Sequence, residues 1–234
     1  MTAFDGQERA ADALLGMFRV YRRAYDTFRL PVISTGRSFE FYRRVFFDGQ
    51  SEAEVLGGLA GKLVVDIGCG LTPFTSNSMF RACHDAGIEF YGVDPKMNGQ
   101  LRLGHFDRLK IYFNNPRARL DRNAPGAERR VAAYAHQLPF DDASVDVILS
   151  SWLLFIWIED EAALAEIFAE FHRVLKPGGV LRQYPMTKWR PELLADAAWR
   201  EVSSRFEITQ RFLRPGLHWW NVPPSYTGTF TKKS

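Results

Sequence analysis

The residues best suited to ligand chemistry lie in one short segment, Val65–Gly70, which reads Val-Asp-Ile-Gly-Cys-Gly. Gly68 and Gly70 let the backbone turn tightly and approach a ligand where a Cβ atom would clash. A helix that follows such a turn offers unpaired N–H groups to an anionic end such as a carboxylate. Asp66 offers its charge to a cationic amine. The segment therefore predicts a site for a small ligand that carries both charges.

A second acidic residue, Asp94, is placed to hold a sugar. It ends the strand-like segment Glu89–Asp94 and lies 24 positions after Gly70. At this spacing a carboxylate at the end of the next strand accepts hydrogen bonds from two ribose hydroxyls. Pro95 and Met97 follow it and are suited to packing against an adenine face. The two acidic positions together predict a nucleoside-bearing ligand.

Two further segments complete a characteristic order along the chain. Residues 135–142 read Ala-His-Gln-Leu-Pro-Phe-Asp-Asp, and residues 175–179 read Leu-Lys-Pro-Gly-Gly. With the glycine turn and Asp94, they resemble the class I S-adenosylmethionine-dependent methyltransferases of the small-molecule type. The resemblance covers about residues 60–185 and is strongest at Asp66–Gly70 and Leu175–Gly179.

The resemblance implies that the cofactor is S-adenosylmethionine and gives matching positions a role in binding it. The implied contacts are Gly68, Cys69 and Gly70 with the methionyl part, Asp94 with the ribose, Ala135 and His136 with the adenine, and Ser150 and Ser151 with the methionine moiety. Pro95 joins the adenine contacts, and Asp66 is expected to hold the amine.

The chain departs from the family pattern at two places. After Gly70 the family often continues with Thr-Gly or Ser-Gly, whereas this chain has Leu71-Thr-Pro73, so the amides that meet the carboxylate stay open. Near the end of the third predicted strand, Tyr134 stands at or beside the position of a frequent family aspartate. A tyrosine hydroxyl or the His136 ring is the alternative partner for the adenine.

Apolar runs alternate with helical patterns from residue 61 onward. Strands are predicted at 62–67, 88–93, 131–135, 145–149, 180–184, 206–212 and 226–232. Helices are predicted after the N-cap Thr72, after Pro95, over 160–175 and over 191–205. This alternation predicts an α/β fold, a mostly parallel sheet with helices on both faces. The last two strands lack an intervening helix and are expected to form an antiparallel edge hairpin. The family's seven-stranded Rossmann-like order, 3-2-1-4-5-7-6, agrees with that hairpin.

Residues 1–60 are predicted to form an N-terminal helical lid, and residues 61–234 the methyltransferase domain. Apolar residues recur near the helical period in the first stretch, and a second helical stretch runs from Phe39 to Phe47. Ser51 and Glu54 form a capping box that opens a third, short helix.

Aromatic residues are concentrated where the carboxyl ends of the strands would meet a substrate. The substrate-binding candidates are Trp152 and Phe155 after the fourth strand, Trp219 (with Trp220 beside it) in the loop between the last two strands, and Tyr25 on the lid. Such rings suit a planar, aromatic or natural-product-like acceptor and stabilise a sulfonium; core packing is the competing interpretation for Trp152, Phe155 and Tyr25. His218 is the weak candidate for a catalytic base. In-line displacement at a sulfonium methyl group needs a base only if the acceptor arrives protonated.

Composition sets limits on partners and location. The chain has 234 residues, a formal charge of +3, two cysteines and five histidines. The histidines lack zinc-type spacing, so no metal is expected. The low net charge argues against nucleic acid. Without a signal peptide or an apolar span, we expect a cytoplasmic protein with no membrane partner. The oligomeric state is open.

Other functions stay possible at this level. A nicotinamide-dependent oxidoreductase also uses a glycine turn and a distal acid, but the third glycine expected near Pro73 is missing. Enzymes that methylate nucleic acid or glutamine commonly carry Asn or Asp followed by Pro-Pro-aromatic after strand four, where this chain has Ser150-Ser-Trp152. A non-catalytic S-adenosylmethionine-binding or scaffold protein is the remaining alternative.

Overall fold

The structure is a computed structural model that describes residues 3–28, 36–98, 105–214 and 222–234. Its α-helices are α1 (Ala3–Phe28), α2 (Phe39–Phe46), α3 (Glu52–Leu59), α4 (Met79–Asp85), α5 (His105–Asn114), α6 (Glu161–Val174) and α7 (Ala197–Ser204). Its strands are β1 (Leu63–Ile67), β2 (Glu89–Val93), β3 (Arg130–Val131), β4 (Val145–Ser151), β5 (Leu175–Met186), β6 (Phe206–Leu213) and β7 (Ser225–Lys232).

Within the described ranges, seven strands form one sheet in the order β3-β2-β1-β4-β5-β7-β6. Strands β1 to β5 run parallel, and β7 lies antiparallel between β5 and β6. The predicted fold class, strand order and edge hairpin are confirmed. Because parallel strands end at the same edge of a sheet, the segments after β1, β2 and β4 come together.

Successive residues of the strands face opposite layers of the core, as the pleat of a strand requires. In β1, Val64 packs with the layer built by α2, α3 and α4, whereas Val65 packs with the layer that includes α6 and α7. The apolar stripe predicted for α6 is buried in that second layer. The capping box of α3 is also confirmed, since the Ser51 side chain and the Glu54 carboxylate each cap the other's backbone N–H.

The helix predicted to begin at Thr72 is wrong. Residues Thr72–Phe74 form a single 3-10 turn, and α4 begins at Met79 with Ser78 as its N-cap. The hydroxyl of Thr72 does not cap a helix, because it accepts a hydrogen bond from the backbone N–H of Arg37 at 3.2 Å. The glycine turn is therefore followed by an irregular segment before the helix.

Three other predicted boundaries differ from the structure. Strand β3 is only two residues long, because Tyr134 and Gln137 close a turn soon after it. Strand β5 already begins at Leu175, and residues 176–179 form a bulge where Gly178 has a φ of 75°. The helix predicted over 191–205 divides into a 3-10 turn at Pro191–Leu193 and α7, which Asp196 caps through the Trp199 backbone N–H at 2.7 Å.

Helix α1 lies against β7 and reaches the edge where the parallel strands end. Of the helices that the structure describes, none combines the length and apolar character needed to cross a bilayer.

Candidate functional site

The turn after β1 has the backbone that its glycines were expected to provide. Gly68 and Gly70 have φ values of 71° and 55°, in the left-handed region that side chains with a Cβ avoid. The Gly68 N–H donates a hydrogen bond to the Val93 carbonyl at 2.8 Å, which fixes the turn to the end of β2. A Cβ atom on Gly68 would lie 3.1 Å from Cδ2 of Leu153. The left-handed conformation therefore favours glycine at this position, and a Cβ atom would also require the Leu153 side chain to move by a few tenths of an ångström.

Asp94 follows β2 directly and begins a 3-10 turn over Pro95–Met97. Its carboxylate Oδ1 accepts the backbone N–H of Lys96 at 3.0 Å, and its own N–H donates to the Val131 carbonyl. These contacts hold the half-buried side chain at the same edge of the sheet as the glycine turn.

A cavity of about 280 Å³ lies above these strand ends. It brings together seven of the positions predicted from the sequence: Gly68, Gly70, Asp94, Pro95, Ala135, Ser151 and Trp152. The rest of its wall is mainly apolar and includes Ile67, Val93, Ala133, Leu153 and Trp157. Of the residues that the structure describes in this wall, Asp94 and Lys96 alone carry ionisable side chains. The cavity thus combines a carboxylate, a glycine turn and aromatic rings.

Asp66 lies directly beneath the turn and is only 1% exposed. The Tyr42 hydroxyl donates a hydrogen bond to its Oδ2 at 2.5 Å, while Oδ1 is buried without a partner among the described residues. Burial raises the pKa of Asp66 to about 7, against the lowering effects of the Tyr42 hydrogen bond and the Arg37 charge. The carboxyl therefore changes its protonation near neutral pH and retains one unused acceptor.

Arg37 is a second buried group beside Asp66, and sequence reasoning missed both it and Tyr42. Its guanidinium carbon lies 4.4 Å from the ring centre of Phe41 and 5.7 Å from that of Trp152. Burial lowers the pKa of Arg37 to about 10. A tyrosine on the buried face of a helix usually needs a partner for its hydroxyl, and this was the one sequence signal for Tyr42.

Cys69 and His136 do not contribute their side chains to the cavity wall. The Cys69 thiol is buried in the layer built by α2, α3 and α4. It lies 2.8 Å from the position that a Cβ on Gly92 would take. Its pKa is raised well above the ordinary thiol value by burial. The exposed His136 ring stacks on Tyr134, with ring centres 5.5 Å apart. Any role of these two residues toward a ligand therefore falls to their backbones.

Trp152 and Phe155 have separate surroundings although they share one loop. Both have left-handed backbones, with φ values of 64° and 63°. The Trp152 ring lines the cavity. It packs edge-to-face with the ring of Phe18 from α1, with 4.6 Å between the ring centres. The Phe155 ring packs instead against Phe168 and other aromatic rings of the α6 and α7 layer. The structure thus favours core packing for Phe155 over contact with a ligand in this cavity.

Several predicted candidates lie where the structure gives no side-chain description. His218 and Trp219, with the neighbouring Trp220, fall outside the described residues. Tyr25 belongs to α1, but the surroundings of its side chain are not described.

A larger cavity, about 460 Å³, lies at the opposite ends of the strands. Lys62, Asp146 and the bulge at Lys176–Gly179 form part of its wall. It contains neither the glycine turn nor Asp94, and ligands of open α/β sheets bind beyond the carboxyl ends of the strands. Chemistry and topology therefore both favour the smaller cavity as the functional site.

Comparison with known proteins identifies a domain that contains this cavity. A family model described as a methyltransferase domain matches residues 65–182, which are 118 of the 234 residues. The match begins in β1 and ends in β5, so it includes the glycine turn and Asp94.

Individual relatives are more distant. The chain is 28% identical over 174 residues to a demethylmenaquinone methyltransferase of Renibacterium salmoninarum, covering 74% of this chain and 59% of that protein. It is 29% identical over 135 residues to phosphoethanolamine N-methyltransferase 1 of Triticum aestivum, covering 56% and 23%. The chain thus spans less than two thirds of the length of each of these curated relatives. A SAM-dependent methyltransferase structure from Methanosarcina mazei aligns with 18% identity and a TM-score of 0.43, covering 76% of this chain and 96% of that one.

Proposed function

Because the chain belongs to this methyltransferase domain family, we propose that it transfers a methyl group from S-adenosylmethionine to a small-molecule acceptor. The observation that carries the proposal is the joint position of the Gly68–Gly70 turn, the Asp94 carboxylate and the buried Asp66 at one edge of the sheet. The acceptor atom is left open, since the relatives' names include methylation of a quinone precursor and of an amine.

The residues present fit S-adenosylmethionine on three observations. Gly68 and Gly70 line the cavity with backbone alone, so a ligand can approach the turn closely. Asp66 Oδ1 is a buried acceptor without a partner among the described residues, as an ammonium group requires. Asp94 directly follows β2 and its carboxylate borders the cavity, the position suited to two ribose hydroxyls.

Each wall of the cavity has a proposed task. The turn, with the backbone of Cys69, holds the methionyl part, and Asp66, which lies beneath the turn and outside the cavity wall, holds the amine as a carboxylate. Asp94 orients the ribose, while Pro95, Ala135 and the backbone of His136 border the adenine. Ser151 lies beside the methionine moiety, and the rings of Trp152 and Trp157 exclude water from the reacting side.

When bound, S-adenosylmethionine supplies an electrophilic methyl group on a sulfonium centre. The protein's contribution is then chiefly to hold the acceptor in line, which removes roughly 7–11 kcal/mol of the barrier. The described wall offers no histidine to take a proton. The acceptor therefore arrives in its nucleophilic form, or His218 takes its proton. Trp152 provides the ring against which a planar acceptor packs. We propose the same role for Trp219 and Tyr25.

The proposal is tested by incubating the protein with methyl-labelled S-adenosylmethionine and a panel of acceptors. The panel holds phenols, quinols, amines and thiols, with ribosomal RNA as a separate arm. Label in one class of small molecule, and its loss in the Gly68→Ala variant, supports the proposal. Label in RNA alone would contradict the small-molecule assignment. Tight cofactor binding without transfer to any acceptor would favour the non-catalytic alternative.

A further inference from the structure

Helix α1 faces the rest of the protein with the side that carries its ion pairs. Glu8 accepts hydrogen bonds from Lys188 at 2.5 Å and from Arg190 at 3.0 Å. One turn beyond the fully buried Leu15, Arg19 lies 3.4 Å from Glu159. These contacts fasten the helix to the segments that follow β4 and β5.

The opposite side of α1 is apolar and turned away from the protein. Its residues recur at intervals of three and four, and we call them the outer stripe: Ala10, Ala13, Met17, Val20, Tyr21, Ala24 and Phe28. Met17 is 66% exposed, Val20 65% and Phe28 72%. A surface helix normally has the reverse arrangement, with apolar residues inward and polar residues outward. An exposed apolar face of this length indicates an interaction surface.

The outer stripe adjoins the entrance to the functional site. Tyr21, at one border of the stripe, meets the ring of Trp157 with 6.4 Å between ring centres. Phe18, next to the stripe, meets Trp152. Both tryptophans line the cavity above the glycine turn. Whatever covers the stripe therefore lies next to the cavity.

Charge decides what kind of partner fits this face. Arg9 and Arg23 are exposed and lie about 80° and 120° around the helix from Met17, from the rotation of 100° per residue. Asp12 lies on the same side as the arginines, about 20° beyond Arg23, and Glu8 lies about 180° from Met17. Both arginines lie on the same side of the stripe, so one of its two borders is cationic. A second copy laid antiparallel on the stripe would bring arginine toward arginine, whereas anionic headgroups would match it.

We propose that the outer stripe lies on an anionic lipid surface, with its apolar side chains at the level of the acyl chains and Arg9 and Arg23 at the headgroups. Helices of this type lie in the interface and do not cross the bilayer. The expectation of no membrane partner rested on the absence of a span, which concerns crossing alone. The inference goes beyond methyl transfer and holds for any ligand of the cavity.

The test is co-sedimentation of the full chain with lipid vesicles. One set contains phosphatidylcholine alone, and in the other phosphatidylglycerol replaces part of it. We expect binding to the second set only, weakened by salt. Arg9→Gln and Arg23→Gln should each lower the partition coefficient about fivefold. The double variant Met17→Ser/Val20→Ser should lower it at least about tenfold. Leu193→Ser is the matched control, since Leu193 is also 66% exposed but lies outside α1, and it should bind as wild type does.

Two results would overturn the inference. One is equal binding, or no binding, to both sets of vesicles. The other is a dimer in sedimentation velocity without lipid that Met17→Ser/Val20→Ser dissociates, since a second copy then covers the stripe. Calorimetric titration with S-adenosylmethionine separates this inference from the proposed function. A protein that binds the cofactor but no vesicles loses only the lipid surface, and Met17→Ser/Val20→Ser should keep cofactor binding if it is folded.

Discussion

Replacing Asp66 by asparagine should remove a pH-dependent cost from the stability of the protein. Burial raises the pKa of this carboxyl to about 7, against 3.8 for an exposed one. Because the folded-state pKa is the higher, the stabilising contribution of the protonated group is complete below a pH of about 4. It is lost as the pH rises through about 7. The wild-type protein thus carries an ionised, buried carboxylate above neutral pH.

The size of this effect follows from the two pKa values. Each pKa unit corresponds to about 1.4 kcal/mol, so their separation gives an upper value of about 4 kcal/mol. An asparagine keeps an oxygen that accepts the Tyr42 hydroxyl hydrogen bond but cannot ionise. Compared with wild type, the Asp66→Asn variant should therefore gain up to about 4 kcal/mol in unfolding free energy between pH values of about 4 and about 8.

The assay is urea unfolding of both proteins at the two pH values, followed by tryptophan fluorescence. Taking the difference between the proteins cancels the titration of all other groups. Tyr42→Phe is the companion variant. Because the Tyr42 hydrogen bond lowers the Asp66 pKa, its removal should retain the pH dependence but move it to higher pH. A difference between wild type and Asp66→Asn that stays constant across this range would refute the reasoning.

Further variants separate binding from packing. Gly68→Ala should weaken S-adenosylmethionine binding at least about tenfold in calorimetry. Gly61→Ala is the matched control, because Gly61 shares the φ of 71° but has no atom within 4 Å of a new Cβ. This control should lose only about 1 kcal/mol of unfolding free energy. Equal affinities of the two variants would contradict the role of the turn. Phe155→Leu should lower the unfolding free energy by about 1–2 kcal/mol and leave cofactor affinity unchanged. If Phe155→Leu lost cofactor affinity but kept the wild-type unfolding free energy, Phe155 would belong to the binding site.

Much of the fold was predictable because its signals are local. The glycines at 68 and 70 mark a strand end, and the stripe of α6 repeats at the helical period. The boundaries that failed depended on contacts distant in sequence. Thr72 has the residue type of a helix cap, but its hydroxyl accepts the Arg37 N–H, and this contact joins residues 35 positions apart.

The site was predictable as far as backbone and topology decide it. Gly68, Asp94 and Ser151 follow parallel strands, so strand order alone brings them to one cavity. The pair of Tyr42 and Asp66 could not be predicted in this way, because it depends on how α2 packs beneath the turn. Phe155 was ambiguous for a similar reason, since one loop sends neighbouring aromatic rings into the cavity and into the core.

The most direct test of the proposed function is calorimetric titration of wild type and Asp94→Ala with S-adenosylmethionine, with NAD as the comparison ligand. One S-adenosylmethionine should bind per wild-type chain, and NAD should not bind. The affinity of Asp94→Ala should be at least about tenfold lower, because a charged hydrogen bond to the ribose is lost. Absence of binding to wild type, or equal affinity for both proteins, would contradict the proposed function.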